Sequence, residues 1–207
     1  MKKFLYCCTA CLFSFIASSQ DTTAVAAEKP VEKTVSAVPQ IRFYGFYPIH
    51  FGDQQFADAY NANPGFGFNI SPIRYKDLRL LLGFERSTYK VDNHTLIAQP
   101  VDQSSYQSLF AAVSYSIGSE TSFCIKPTLG AGVSMLYLKI GNERFGNQPA
   151  SDLRAGLTAD WAVYKHLSVF LTANYVHSNI DVDTAQELHD FYSKANSVQV
   201  GFGLMIR

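Results

Sequence analysis

The chain has 207 residues, of which 47% are hydrophobic and 16% are charged, and its 17 basic and 17 acidic residues give a formal net charge of zero. This balance leaves no basic surface of the kind that binds nucleic acid, so no nucleic-acid partner is expected. Beyond the N-terminal segment no apolar run reaches the roughly 18 residues of a membrane-spanning helix, which excludes a helical membrane protein at this level.

The N-terminal segment has the pattern of a secretory signal peptide. A positive start that includes Lys2 and Lys3 precedes an apolar stretch over residues 4–16, and small residues follow at positions 17–19. The apolar stretch is too short to span a bilayer, and the small residues fit a cleavage site. The sequence therefore predicts a signal peptide over residues 1–19 and export of the remainder.

Residues 20–39 are rich in Ala, Thr, Val, Glu, Lys and Pro and have little to bury. This composition predicts a flexible periplasmic linker. Three of the four cysteines lie within the predicted signal peptide, so Cys124 alone remains in the exported chain. No internal disulfide is therefore expected.

From Gln40 onward, segments of about ten residues alternate large apolar with small or polar side chains, and a period of two indicates β-strands. In the last segment Val198, Val200, Phe202, Leu204 and Ile206 share one face, and Gln199, Gly201, Gly203 and Met205 share the other. Eight such strands are predicted, at residues 41–51, 63–70, 78–90, 104–117, 122–140, 151–163, 167–179 and 195–206.

The predicted connections alternate in length along the chain. The long ones span residues 52–62, 91–103, 141–150 and 181–194, and the short ones span 71–77, 118–121 and 164–166. In an up-and-down meander every long connection then falls at the same end, as in transmembrane barrels. The predicted fold is all-β, an eight-stranded antiparallel up-and-down transmembrane β-barrel over residues 40–207, whose closure leaves no free sheet edge.

The same alternation would also suit a soluble lipocalin-like barrel with its apolar face inward. The polar faces of the strands, however, hold mostly Gly, Ser and Thr with a few charges of both signs, which favours an inward polar face. These charges predict an interior charge network of Arg42, Arg79, Glu85, Lys126, Arg154 and Asp160. Aromatic residues toward the strand ends predict contacts with the membrane interfaces: Tyr47, Tyr115, Tyr137, Trp161 and Tyr175.

The signal peptide, the strand number, the loop asymmetry and the closing strand Val198–Ile206 resemble the small eight-stranded outer-membrane β-barrel family of the OmpA and OmpX type. The chain departs from that family in ending on Ile206-Arg207, where members usually end on an aromatic residue. The resemblance implies a monomeric, non-catalytic protein of the outer membrane of a Gram-negative-type bacterium, surrounded by outer-membrane lipid and without a cofactor. It also implies loops that serve adhesion or recognition of an extracellular ligand or host surface, and an interior filled by side chains rather than a diffusive pore.

A lipid A-modifying enzyme, such as a deacylase, is the alternative function. His177 and Ser178 lie at the end of the seventh predicted strand, and Glu187 follows in the next loop. Catalysis by a Ser–His pair needs the two side chains within hydrogen-bond reach, whereas adjacent residues on a strand point to opposite faces. The sequence therefore predicts no catalytic residue.

Neither a metal site nor a wide pore is predicted. The histidines at positions 50, 94, 166, 177 and 189 lack the spacing of metal ligands. A narrow ion path along Arg79, Glu85 and Asp160 is the remaining alternative for the interior charges.

Overall fold

The computed structural model describes residues 35–36, 39–52, 55–96, 101–141, 143–182 and 193–207. The predicted signal peptide and most of the predicted linker lie outside these residues. The helices of the described ranges all lack the length and hydrophobicity of a membrane-spanning helix.

Eight long strands form the described part of the chain, together with four short strands and two short helices. In chain order the elements are β1 (Val35–Ser36), β2 (Gln40–His50), α1 (Gln55–Ala59), β3 (Tyr60–Ala62), β4 (Gly65–Ser71), β5 (Arg74–Tyr75), β6 (Leu78–Val91), a 3₁₀ turn (His94–Leu96), β7 (Gln103–Tyr115), β8 (Ile117–Gly118), β9 (Phe123–Ile140), β10 (Glu143–Tyr164), β11 (Leu167–Ile180) and β12 (Lys194–Ile206). The long strands β2, β4, β6, β7, β9, β10, β11 and β12 pair antiparallel in this order. Pairing of β12 with β2 closes the sheet, so the predicted eight-stranded antiparallel barrel is confirmed.

The two faces of the barrel wall have opposite chemistry. On β2, Phe43 is 54% exposed on the outer face, whereas the neighbouring Arg42 is 2% exposed on the inner face. The same alternation runs along the other long strands, with Leu, Val, Ile and Phe outward and Ser, Thr, Gly and charged residues inward. A soluble barrel has the reverse polarity, with apolar side chains inside and charged side chains outside. The outer face of this barrel lacks the charged surface that water requires.

Inward aromatic rings fit against inward glycines on neighbouring strands. Phe110 lies directly between Gly83 on β6 and Gly132 on β9, and Tyr44 lies directly opposite Gly67 on β4. A Cβ atom added to Gly83 would overlap the Phe110 ring, and one added to Gly67 would overlap the ring of Tyr44. The glycines therefore make room for the large side chains that fill the narrow interior.

The β9–β10 hairpin is longer than the sequence pattern predicts. Residues 141–150 were predicted as a loop because they contain Gly, Asn and Pro, but β10 begins at Glu143 and pairs with β9 almost to the turn, so this prediction is wrong. The two strands contain 18 and 22 residues, whereas roughly 9–11 suffice to span a membrane. We call the band of outward apolar side chains around the barrel the apolar belt. The hairpin therefore projects beyond this belt at the end of the barrel that carries the long connections.

The first long connection folds into the mouth of the barrel. Residues 52–62 were predicted as a loop, but they include α1 and β3, which pairs with the end of β6. Phe56 of α1 stacks on Tyr60 at 5.0 Å between ring centroids and meets the ring of Tyr89 edge-on at 5.4 Å. A buried apolar cluster forms around these rings, and we call it the loop-end plug: Phe56, Ala59, Tyr60, Tyr89, Val91, Val101, Tyr106, Leu136, Ile180 and Ala195.

The opposite end of the barrel holds the short turns and a short added strand. Val35 and Ser36 pair antiparallel with Tyr75 and Arg74, beside the turn between β4 and β6. This pairing falls within the predicted linker, so the end of that segment contributes main-chain hydrogen bonds to the sheet.

Candidate functional site

All six residues of the predicted interior charge network lie on the inner face of the wall. Strand β2 supplies Arg42, β6 supplies Arg79 and Glu85, β9 supplies Lys126, and β10 supplies Arg154 and Asp160; all are buried. They form two groups at different heights in the barrel rather than one continuous network. Each group also contains residues that were not predicted as part of the interior charge network.

The short-turn charge cluster is centred on Asp160 and Glu120. Its members are Arg42, Arg74, Arg79, Glu120, Lys126 and Asp160. The ammonium group of Lys126 lies 2.6 Å from the Asp160 carboxylate and 3.4 Å from the Glu120 carboxylate, and Arg42 lies 3.4 Å from Asp160. Because Lys126 and Asp160 are fully buried, water does not stabilise their charges, and each charge is stabilised by the other instead.

Glu120 comes from the turn after β8 and reaches back under the barrel. Its carboxylate accepts hydrogen bonds from Arg79 at 2.9 and 3.1 Å, from Arg74 at 3.0 Å and from the Ser116 hydroxyl at 3.1 Å. Burial alone would raise the pKa of Glu120, but the hydrogen bond from Arg79 and the charges of Lys126, Arg79 and Arg74 outweigh it and lower the pKa from 4.5 to about 2. Glu120 was predicted only as part of the short turn over residues 118–121, so its role was missed.

The central pair joins Glu85 to Arg154 across the middle of the barrel. The Arg154 guanidinium donates to the Glu85 carboxylate, which also accepts a 2.6 Å hydrogen bond from the Tyr44 hydroxyl. Arg154 also lies over the ring of Phe110, 4.2 Å from its centroid. The cavity beside this pair has a volume of about 40 Å³, which is room for a few water molecules and not for a substrate.

Asp152 is a buried carboxylate that is held by hydroxyl groups instead of cations. Four hydroxyls donate to it: Tyr106 at 2.6 Å, Ser108 at 2.7 Å, Ser134 at 2.9 Å and Ser178 at 2.7 Å. Among the described residues no Lys, Arg or His lies within salt-bridge distance of it. The alternation contained the signal for this residue, because Asp152 lies two positions before Arg154 and so shares its inward face.

The predicted interfacial aromatics all lie on the outer face, at two levels. Tyr115 and Trp161 lie toward the short-turn end, where Trp161 packs against Phe123 at 5.3 Å between ring centroids. Tyr47, Tyr137 and Tyr175 lie in the half of the barrel nearer the long connections. Two such levels suit amphipathic rings at the two edges of an apolar belt.

The candidate catalytic pair of the enzyme alternative is divided by the barrel wall. His177 faces outward and its Nδ1 lies 2.7 Å from the Asn196 side-chain oxygen, whereas Ser178 faces inward and donates to Asp152. The third residue of that hypothesis, Glu187, lies outside the described residues. Within the described part of the chain, no group of three His, Cys, Asp or Glu side chains is placed to hold a metal ion.

The barrel resembles solved structures of other proteins in its fold. No protein-family model matches the chain, and no curated protein is significantly similar to it in sequence. The crystal structure of Neisserial surface protein A matches 83% of this chain and 97% of its own, with a TM-score of 0.58 and 15% identity. A major outer membrane protein from Thermus thermophilus matches 82% of this chain and 99% of its own, with a TM-score of 0.50 and 12% identity. The chain thus has the fold of small outer-membrane β-barrels.

Proposed function

We propose that the protein is a non-catalytic, monomeric integral protein of a bacterial outer membrane, which anchors a recognition surface at the end of its long connections. The apolar outer face carries this proposal. Leu129, Val133 and Leu153 are 70%, 65% and 63% exposed on adjacent strands, a degree of apolar exposure that water would penalise and lipid would not. The fold shared with outer-membrane barrels supports the same location.

The closed interior supports an anchoring role over transport. A solute moving along the axis would have to pass the loop-end plug, the central pair of Glu85 and Arg154, and the short-turn charge cluster. Each is a packed group of buried side chains, as expected for a barrel of eight strands. We therefore expect single-channel recordings in planar bilayers to detect no steady conductance, and stepwise currents would favour the narrow ion path instead.

The long β9–β10 hairpin supports a role in recognition. It carries paired strands beyond the apolar belt, so its tip is held in a defined position rather than on a free loop. Such an element can contact an extracellular ligand or a host surface with little loss of conformational entropy on binding.

Location and orientation can be tested with one matched pair of cysteine variants. In a Cys124→Ser background, Glu143→Cys places a thiol at the exposed hairpin tip and Thr121→Cys places one in an exposed short turn. A membrane-impermeant maleimide should label position 143 on intact cells and position 121 only after lysis. Labelling of both positions on intact cells, or recovery of the protein in the soluble fraction without detergent, would contradict the proposal.

The recognition role needs its own test. Residues 138–146 can be replaced by Asn-Gly, which joins Tyr137 to Asn147 where these two residues already lie opposite each other. Cells that express the shortened protein should attach to a cultured epithelial monolayer at a lower level than cells with the full hairpin. Equal attachment, with the shortened barrel present in the membrane at the same amount, would argue against recognition through the hairpin.

A further inference from the structure

Basic side chains lie on the outer wall at the long-connection end of the apolar belt, and Lys90, Lys139 and Arg144 lie in register. Lys90 on β6 lies opposite Gln103 on β7, Gln103 lies opposite Lys139 on β9, and Lys139 lies opposite Arg144 on β10. Arg86 lies on the same outward face of β6, four residues below Lys90. We call Arg86, Lys90, Lys139 and Arg144 the outer basic patch.

A β-bulge places Arg144 in this patch. The register of β10 shifts by one residue between Arg144 and Gly146, so positions above the shift exchange faces relative to those below it. Arg144 therefore faces outward with Lys139, and its guanidinium lies 4.7 Å from the centroid of the Tyr137 ring. Without the shift, Arg144 would share the inward face of Asp152 and Arg154.

The four cations have no carboxylate partner in the described part of the chain. None of the ion pairs of the described residues includes them. Three acids lie nearby in sequence: Asp92, Asp102 and Glu143. Asp102 accepts a hydrogen bond from the backbone N–H of Gly141, and Glu143 pairs with Ile140 on the face opposite Arg144. The patch thus presents positive charge to the surroundings of the barrel.

An apolar groove lies below this patch on the same strands. Ala111, Ala131 and Ala155 form its floor, and larger side chains that include Leu80 and Leu153 form its sides; the groove is open to the surroundings of the barrel and has a volume of about 560 Å³. Ala131 lies four residues below the level of Arg86 and eight residues below Lys139 on its own strand, or roughly 13 Å and roughly 26 Å along a strand. One leaflet of the hydrocarbon core is about 15 Å deep, so an acyl chain anchored at Arg86, the cation of the patch nearest the groove, would reach it.

We propose that the outer basic patch and the groove together bind a phosphate-bearing lipid, with the phosphate at the cations and an acyl chain in the groove. Guanidinium and ammonium groups suit phosphate, and the charge of the patch complements it. The site rests on the proposed function, because only a barrel that spans a bilayer presents this wall to lipid.

The test compares lipids that differ only in phosphate. The full-length protein, reconstituted in phosphatidylcholine nanodiscs, is offered bis-phosphorylated lipid A or the same lipid without phosphates, and retained lipid is measured by native mass spectrometry. The phosphorylated lipid should be retained preferentially. Lys139→Gln with Arg144→Gln should weaken retention about 25-fold, at roughly fivefold per cation. The control Lys76→Gln with Lys165→Gln, at the short-turn end, should change it less than twofold.

Each part of the site can fail separately. Equal retention of the two lipids, or equal loss in the control variant, would overturn the phosphate assignment. Ala131→Leu narrows the groove without changing charge and should weaken retention at least threefold; unchanged retention would overturn the acyl-chain assignment. Failure of the protein to insert into nanodiscs would refute the proposed function itself, whereas insertion without lipid preference would refute only this site.

Discussion

Two buried carboxylates on the inner face of β10 are held in different ways. Asp160, near the short turns, lies against the cations Lys126 and Arg42. Asp152, nearer the long connections, accepts hydrogen bonds from four hydroxyls. The comparison indicates that a buried carboxylate can be stabilised by adjacent cations, as at Asp160, where one oxygen has no hydrogen-bond partner in the described structure, or by hydroxyl hydrogen bonds without a cation, as at Asp152.

The difference matters because the partners respond differently to a lost charge. A hydroxyl is both a donor and an acceptor and can rotate to meet a neutral group. An ammonium or guanidinium group has only donors and cannot accept a hydrogen bond, so removal of its anion leaves an uncompensated buried cation.

The largest effect should come from Asp160→Asn. This change leaves Lys126 and Arg42 buried without the carboxylate, and we expect it to lower the free energy of unfolding by about 3–5 kcal/mol. Urea titration of the barrel in lipid vesicles, followed by the fluorescence of Trp161, measures this quantity. A loss below about 1 kcal/mol would mean that Glu120 can replace Asp160 as the anion for Lys126.

Asp152→Asn should cost less, about 2 kcal/mol, because the four hydroxyls can reorient around the neutral amide. The same titration compares the two variants directly. Equal destabilisation by Asp152→Asn and Asp160→Asn would mean that the four hydroxyls stabilise only a charged carboxylate. The two carboxylates would then not differ in the way proposed.

Each of the four hydroxyls that donate to Asp152 should contribute about 1 kcal/mol to the free energy of unfolding. Ser134→Ala removes one hydrogen bond to Asp152, and three donors remain. Ser114→Ala is the matched control, because its buried hydroxyl makes no hydrogen bond in the described structure. We expect the control to change the free energy of unfolding by only a few tenths of that amount; equal effects would indicate simple packing loss.

The contribution of the short-turn charge cluster to the stability of the fold should change gradually with pH. The pKa of Glu120 is about 2 in the folded chain against an ordinary value of 4.5, so its carboxylate stabilises the fold fully above about pH 4.5. That contribution should be lost as the pH falls toward about 2. The stability difference between wild type and Glu120→Gln should therefore shrink over this range, and a difference independent of pH would contradict the assignment.

The alternation of the sequence predicted the barrel, its outer face and six of its buried charges, because a period of two specifies which side chains share a face. It could also have identified Asp152, which follows the same alternation. Glu120 could not be found in this way, because its place under the barrel depends on how a turn folds back in three dimensions.

The β9–β10 hairpin and the loop-end plug were missed for a related reason. Residues 141–150 have the composition of a loop, yet pairing with β9 keeps them extended and a bulge changes the face of Arg144. Residues 55–62 show no period of two, and Phe56 is buried only because the mouth of the barrel offers it aromatic partners. In both segments tertiary contacts outweigh the local preference of the chain.

The pairing of inward rings with inward glycines has an evolutionary consequence. Gly83 can acquire a side chain only if Phe110 becomes smaller, because the two occupy one space from opposite strands. Related sequences should therefore exchange bulk between these two positions, with a large residue on one strand accompanying a small one on the other. Such compensating pairs would indicate that the barrel has the same width in relatives whose sequences have otherwise diverged.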